Sequence, residues 1–384
     1  MHQIEHNNRR YELDWLRVMV FGLLIFYHIG MLYVADWGFH YKSEHQSHFL
    51  QNLMLLLNRW RLPLLFLISG VAIRFILDKV TWYRFIGLRS IRLLVPLFFG
   101  ILVIVPPQLY VEMTANGDLN MSYWSFYKAF FDLEHPLFEN YQAGILPHMD
   151  VNHLWYIREL WWFSLFMLPL SFILKLSFID RIISLLAWRN SFLVLLFAPI
   201  IVLSIVDFTF LPSSGEGRRI WMGFTFLIVG YLLAKNHPVW ESIRINRHKL
   251  LLAALISYAL LIYFYHTYFI IRTESAVGWD LLLEITFGYF SRWSWVLVVI
   301  AYSSHYLQKN NPKLEYLNEA VYPYYILHQS ILIVAAFVLA SYNLGPVIEP
   351  TLIILITFLG CALGFALIRR VKVLRFLFGL KWHQ

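Results

Sequence analysis

Ten stretches of this sequence are apolar over lengths that can cross a bilayer, and that repetition dictates the fold class. They fall near residues 13–35, 51–77, 93–111, 154–174, 191–211, 219–234, 250–271, 281–304, 320–341 and 351–368. About 20 residues of helix cross a hydrocarbon core of roughly 30 Å, and a helix pairs its own backbone polar groups where no water can. Hydrophobic residues make up 59% of the 384-residue chain and charged residues 14%, which excludes an ordinary soluble domain. The 281–304 stretch is the weakest, because Glu284 and Arg292 interrupt it. We expect an all-α polytopic membrane protein of about ten transmembrane helices in one bundle. No repeat, low-complexity tract or appended soluble domain is visible, so residues 1–384 read as a single integral membrane domain.

The basic residues give the topology. With the N-terminus in the cytoplasm, 20 of the 31 Lys and Arg fall in inside segments, from Arg9 and Arg10 to Lys381, and 5 fall outside: Lys42, Lys128, Arg218, Arg219 and Arg272. The other six lie within apolar stretches. An excess that alternates at every loop follows the positive-inside rule, and both termini are expected in the cytoplasm. The same distribution accounts for the net charge of +8 without a nucleic-acid partner. The first stretch is too long for a signal peptide and lacks a cleavage site. A lone Cys361 excludes an intramolecular disulfide. The one long external loop, 112–152, carries six acidic residues against Lys128, with Tyr123, Trp124, Phe126 and Tyr127. Its aromatics suit either sugar stacking or the membrane interface.

Ionisable residues inside apolar stretches mark function by default. The first stretch holds Asp14, Arg17 and His28. Eleven residues make about three turns plus 20°, so Arg17 and His28 share a face about 16 Å apart, with Asp14 within about 40° of it. Imidazole takes a proton near neutral pH, which makes His28 a candidate general base as well as a candidate packing residue. Asp14 is placed to pair with Arg17 at i,i+3. Arg89 and Arg92, one turn apart at a cytoplasmic helix entry, serve topology and can also clamp phosphate. Arg59 and Arg61 sit in the outer half of the second stretch, before Pro63 and the small Ser69-Gly70 surface. His153, Arg158 and Glu159 stand where the acidic loop re-enters the membrane; Glu159 suits an ion pair with Arg59 or Arg61 or an acceptor site. Arg292 and His328 are deep in later stretches. No zinc-protease spacing, glycine-rich phosphate loop or nucleophile elbow is present, so no metal is expected.

In combination these pieces resemble the membrane-bound acyltransferase 3 family. Arg17 and His28 match its Arg-x10-His, Arg89 and Arg92 its Arg-x-x-Arg, Phe66 to Gly70 its Phe-Phe-x-x-Ser-Gly, and Tyr325 to His328 its Tyr-x-x-His. His153-Leu154-Trp155-Tyr156 and Leu374-Arg375-Phe376-Leu377-Phe378 look nearest to the branch that succinylates periplasmic glucans. The Trp-Ser-Leu-x-x-Glu of the O-antigen-acetylating branch has only an imperfect counterpart in Trp155 and Glu159.

The resemblance implies an integral O-acyltransferase of the bacterial inner (plasma) membrane. The co-substrate would be a cytoplasmic acyl-CoA, succinyl-CoA or acetyl-CoA, with no permanently bound cofactor, and the acceptor an envelope glycan hydroxyl. It makes Arg89, Arg92 and Arg17 the acyl-CoA ligands and His28 the base. Arg59, Arg61, His153, Glu159, Arg292 and His328 become candidates for the acceptor or oxyanion. The rival class is a proton-coupled transporter or flippase, for which a polar stripe serves equally. A non-enzymatic envelope scaffold using the 112–152 loop ranks third. Oligomeric state is open.

Overall fold

The structure, a computed structural model, describes residues 10–212, 215–269 and 276–381; Arg9 and Arg272, part of the charge count above, lie outside the described residues. Eleven principal helices follow in order. They are α1 (Tyr11–Met31), α2 (His48–Leu77), α3 (Trp82–Phe99), α4 (Pro106–Ala115), α5 (Trp155–Leu174), α6 (Phe192–Phe210), α7 (Gly215–Leu233), α8 (Arg247–Phe264), α9 (Gly278–Tyr306), α10 (Pro312–Ala340) and α11 (Gly345–Arg370). The described residues contain no strand. The protein is an all-α, multi-pass membrane protein.

All ten predicted stretches contain a helix, the end of the 250–271 stretch lying outside the described residues, and among those described eight are long and apolar enough by themselves to cross a membrane. The other two are α7 and α9. α7 opens with Glu216, Arg218 and Arg219, and α9 is interrupted by Asp280, Glu284, Arg292 and several serines. The third stretch is longer than expected. It runs from Trp82 to Ala115, with α3 and α4 joined by a π-turn at Gly100–Ile104. Its early part was missed because the exposed Arg84 and Arg92 dilute the apolar signal.

Face assignment is plainest on α11. Ile353, Thr357, Cys361, Phe365 and Ile368 are buried, while Leu355, Leu359, Leu363 and Leu367 are exposed. Both rows recur about once per turn. Exposed leucines in an unbroken stripe are a cost in water and the normal state in lipid.

The chain divides into two compact units interleaved in sequence. The first comprises residues 1–20, 55–85 and 163–314, and the second residues 21–54, 86–162 and 315–384. In the first unit, α9 packs along α8 and α6, with Trp293 donating to the Leu195 carbonyl at 3.1 Å. α2 and α7 cross at Gly70 and Gly230. A β-carbon at Gly70 would strike the Leu227 carbonyl, and one at Gly230 the Leu67 carbonyl. Small residues allow this backbone-to-backbone approach. Asp78 accepts from Lys175 at 2.8 Å and Lys235 at 2.5 Å, so three segments expected on one side of the membrane meet. Burial opposes the Asp78 charge, but the two ammonium groups outweigh it and hold its carboxyl below the usual range.

In the second unit, Ile25, Ile29 and Leu32 of α1 and its end pack on Val111 of α4, Leu332 and Ile333 of α10, and Ile353 of α11. The π-turn and the two prolines after it leave carbonyls without helical donors. Pro106 lacks an N–H for Leu102 O, which accepts from the Tyr127 hydroxyl at 2.9 Å instead. The Gln108 N–H bonds Val105 O, and Ile104 O accepts from the Ser330 hydroxyl. The external loop begins after Ala115 rather than at 112 and is largely packed. It forms a helix (Tyr123–Ala129) capped by Ser122 and buries Phe126, Phe130 and Phe138, the last against His148. Of its sequence-predicted aromatics, Trp124 is the exposed one, at 71%. At the far end of the chain, Arg375 is 5% exposed, donates to Glu319 at 3.1 Å and to Lys381 O, and fixes the tail to α10.

Candidate functional site

The second unit brings His28 of α1 onto His328 of α10, 300 residues later. His28 Nδ1 lies 2.7 Å from His328 Nε2, and the ring planes are 6° apart. Face-to-face stacking would keep the nitrogens at van der Waals distance, roughly 3.5 Å or more, so this contact is a hydrogen bond near the plane of both rings. Its direction follows from what His328 touches. His328 Nδ1 is 2.8 Å from Tyr325 O and 3.1 Å from Tyr324 O. Carbonyls only accept, so Nδ1 carries the proton. In the neutral ring Nε2 is then an acceptor, and His28 Nδ1 donates to it. That leaves the lone pair of His28 on Nε2. His28 is half-buried, whereas His328 is fully buried. His28, with its lone pair on Nε2, is therefore the partly accessible member of the pair.

Around this pair lies a polar cluster inside otherwise apolar helices. His153 is also buried, 5% exposed, with both nitrogens engaged: Nδ1 accepts from Gln108 at 3.2 Å and Nε2 donates to Ile326 O at 3.0 Å. It stands edge-on to His328, ring centroids 5.4 Å apart. His153 stands at the helix start where the sequence placed it, and its ring fastens that start to α4 and α10. Gln329 donates to Gln108 at 3.1 Å and to Asn152 at 3.2 Å. Asn152 Oδ1 also accepts from His40 Nε2 at 2.8 Å, and His40 Nδ1 bonds Glu112. Asn152 has a φ of +49°, a left-handed conformation that Asn tolerates better than most residues.

The segment 32–47 is thereby tied over the end of α1. Phe39 lies 6.4 Å from the His28 ring. Lys42 caps the helix, donating to the carbonyls of Met31 at 2.8 Å, Trp37 at 3.1 Å, and Val34; burial draws its ammonium pKa down. Glu349 of α11 accepts from Tyr33 at 3.0 Å and Ser43 at 2.7 Å. Burial first, and then Glu349, push the Tyr33 phenol above its ordinary range, so it stays a donor.

The remaining sequence candidates divide between the units. In the second, Arg158 pairs with its neighbour Glu159 at 2.8 Å. Arg89 is half-buried and Arg92 exposed, about two and three turns into α3 rather than at its entry. In the first unit, Arg17 pairs with Asp14 at 3.5 Å across one turn, Arg61 is buried, and Arg59 and Arg292 line one cavity. Among the described residues no group of three or more His, Cys, Asp or Glu is arranged to hold a metal.

Sequence reasoning named His28, His153 and His328 but missed Gln108, Gln329, Asn152 and His40. Gln108 carried a legible signal: it is an amide inside an apolar stretch, and such residues find partners across helices.

Neither the curated proteins nor the solved structures contain a match. The family model for the acyltransferase 3 domain, described as an acyltransferase domain, matches residues 10–369. The chain belongs to the acyltransferase 3 family and is a membrane acyltransferase.

Proposed function

For this member of the acyltransferase 3 family, we propose O-acyl transfer from acyl-CoA to a hydroxyl of an envelope glycan, with His28 Nε2 as general base. The observation that carries this reading is the His28–His328 hydrogen bond with His328 Nδ1 committed to two carbonyls. It gives His28 one tautomer and one orientation, with its lone pair on Nε2. A triad aspartate does the same for a catalytic histidine, although here the partner is a neutral acceptor.

The acceptor hydroxyl attacks the thioester carbonyl as His28 Nε2 takes its proton. The tetrahedral intermediate expels coenzyme A thiolate, which recovers the proton from His28. The products are the glycan ester and CoA–SH, and His28 returns to its starting tautomer. The imidazolium formed in between donates to His328 Nε2 through a charge-assisted bond, stronger than the neutral bond of the resting state. Strengthening during the reaction is what makes such a contact catalytic.

Arg89 and Arg92 are assigned the donor's phosphates, together with Arg17. One helical turn between two guanidinium groups suits two phosphate oxygens. His328 is moved from the acceptor and oxyanion candidates to the positioning partner of His28. His153, with both nitrogens committed, holds the scaffold. The donor is succinyl-CoA or acetyl-CoA and the acceptor a periplasmic glucan, in line with the likeness at His153–Tyr156 and Leu374–Phe378. The helices run with both termini in the cytoplasm of the bacterial inner membrane.

Acyl-CoA binding to purified protein tests the donor assignment. Binding should weaken with salt and in Arg89→Ala/Arg92→Ala. If the folded protein binds no thioester, the reading fails, and movement of a solute across proteoliposomes becomes the activity to look for.

A further inference from the structure

The first unit contains a cavity of about 940 Å³ that the acyl-transfer reading does not use. Its lining carries Arg59, Arg218, Arg219 and Arg292 against two carboxylates, Asp207 and Glu284, together with apolar side chains including Phe208, Leu261 and Phe287. Beside the lining, Glu216 pairs with Arg219 at 3.0 Å, which still leaves one cation in excess. Asp207 is already engaged by Arg218 at 2.6 Å and by the Tyr289 hydroxyl at 2.9 Å. The lining therefore has a net positive charge inside a largely apolar body, where the field of a fixed charge is poorly screened and an anion is attracted.

The backbone makes room for one of these cations. Side chains on a helix lean toward its N-terminus, and Arg292 leans back over Gly288, one turn earlier. A β-carbon at Gly288 would lie 2.5 Å from the Arg292 Nη1. The glycine is a berth for the guanidinium at the cavity wall, which both residues line. Asn58 and Tyr265, also in the lining, provide groups for hydroxyls.

We propose that this cavity binds the phosphate headgroup of an anionic amphiphile, with Arg292 and Arg59 on the phosphate and the apolar lining residues against the adjoining hydrocarbon. A simple carboxylate would satisfy the cations but leave most of the volume empty; a phosphate ester with a hydroxylated head fills both. The mechanism above gives no step to Arg59 or Arg292, which the sequence offered as acceptor or oxyanion candidates, and the site uses neither His28 nor Arg89 and Arg92.

The test is binding to the purified full-length protein in detergent. The probes are dioctanoyl phosphatidylglycerol, dioctanoyl phosphatidylcholine and glycerol 3-phosphate, with coenzyme A as competitor. Dioctanoyl phosphatidylglycerol should bind at least tenfold more tightly than the zwitterionic lipid. Its affinity should fall tenfold or more in Arg292→Gln and Arg59→Gln and recover partly in Arg292→Lys. Gly288→Ala asks for no more than a shift of the far end of a flexible side chain, so it should leave the thermal transition in place and still weaken binding. Binding of glycerol 3-phosphate that the same variants abolish, at equal affinity, would support the phosphate site and assign it to soluble esters; much weaker binding would assign it to lipid. Three results would overturn the proposal: lipid affinity unchanged in the folded Arg292→Gln/Arg59→Gln protein, no preference for the anionic lipid, or displacement of the lipid by coenzyme A.

Discussion

His328 is the residue whose replacement separates positioning from chemistry. It touches no route to solvent, being fully buried, and its Nε2 holds His28 Nδ1 at 2.7 Å. In the resting enzyme that bond joins two neutral groups, worth about 0.5–1.5 kcal/mol, and when His28 is protonated it becomes a bond from a charged donor, worth about 1.5–3 kcal/mol. Only the difference, about 1–2 kcal/mol, accelerates the reaction. At 1.36 kcal/mol per tenfold, His328→Ala should lower kcat by roughly 5–30-fold, and loss of the fixed tautomer should extend that to about 100-fold. His328→Gln retains an acceptor near the position of the imidazole Nε2 and should stay within about tenfold of wild type. KM for acyl-CoA should not change in either variant, because His328 contacts no donor in the proposed mechanism. The assay is steady-state release of CoA thiol in proteoliposomes, with the thermal transition confirming the fold. Wild-type kcat in folded His328→Ala would refute the argument, as would a change confined to KM.

Other expectations follow from separate contacts. Asn152→Ala removes the acceptor shared by His40 and Gln329 and places Ala at a positive φ; kcat/KM should fall about tenfold, with a lower thermal midpoint, while the replacement Asn152→Gly should recover the midpoint but not the activity. Gly70→Val drives a side chain into the Leu227 carbonyl and should destabilise by about 3 kcal/mol or more, seen as lost monodisperse protein in size-exclusion chromatography; Gly22→Ala, with open space around it, should have no such effect. Arg375→Ala takes one of two arginines from Glu319, which keeps Arg369 at 3.2 Å, and removes the donor to the Lys381 carbonyl; it should cost about 1–3 kcal/mol, measured as a lower thermal midpoint, without changing the rate of the protein that remains folded.

The sequence made the helices legible and their partners only partly so. Ten apolar stretches announced themselves because a bilayer tolerates little else. The structure supports their alternation: Asp78 collects lysines from two other segments expected on its side, and Glu349 meets Tyr33 and Ser43 on the other. His28 stood out as an ionisable group in the first stretch. His328 stood out equally, yet nothing in a single sequence could show that these two rings meet across 300 residues. His153 was named from its place at a helix start, but its partners Gln108 and Ile326 O, on other helices, were not legible. The π-turn in the third stretch was equally hidden, since it depends on how Pro106, Tyr127 and Ser330 share the carbonyls that it exposes. Arg59 and Arg292 were singled out as deep cations; their common cavity needed coordinates.

The most direct measurement is acyl transfer itself, with radiolabelled succinyl-CoA or acetyl-CoA supplied to proteoliposomes of wild-type and His28→Ala protein in the presence of periplasmic glucan. Label entering the glucan as an ester with wild type, and loss of at least a thousandfold of that rate in a folded His28→Ala variant that still binds acyl-CoA, is the predicted result. Transfer at an undiminished rate by His28→Ala would contradict the assignment of His28 as the base.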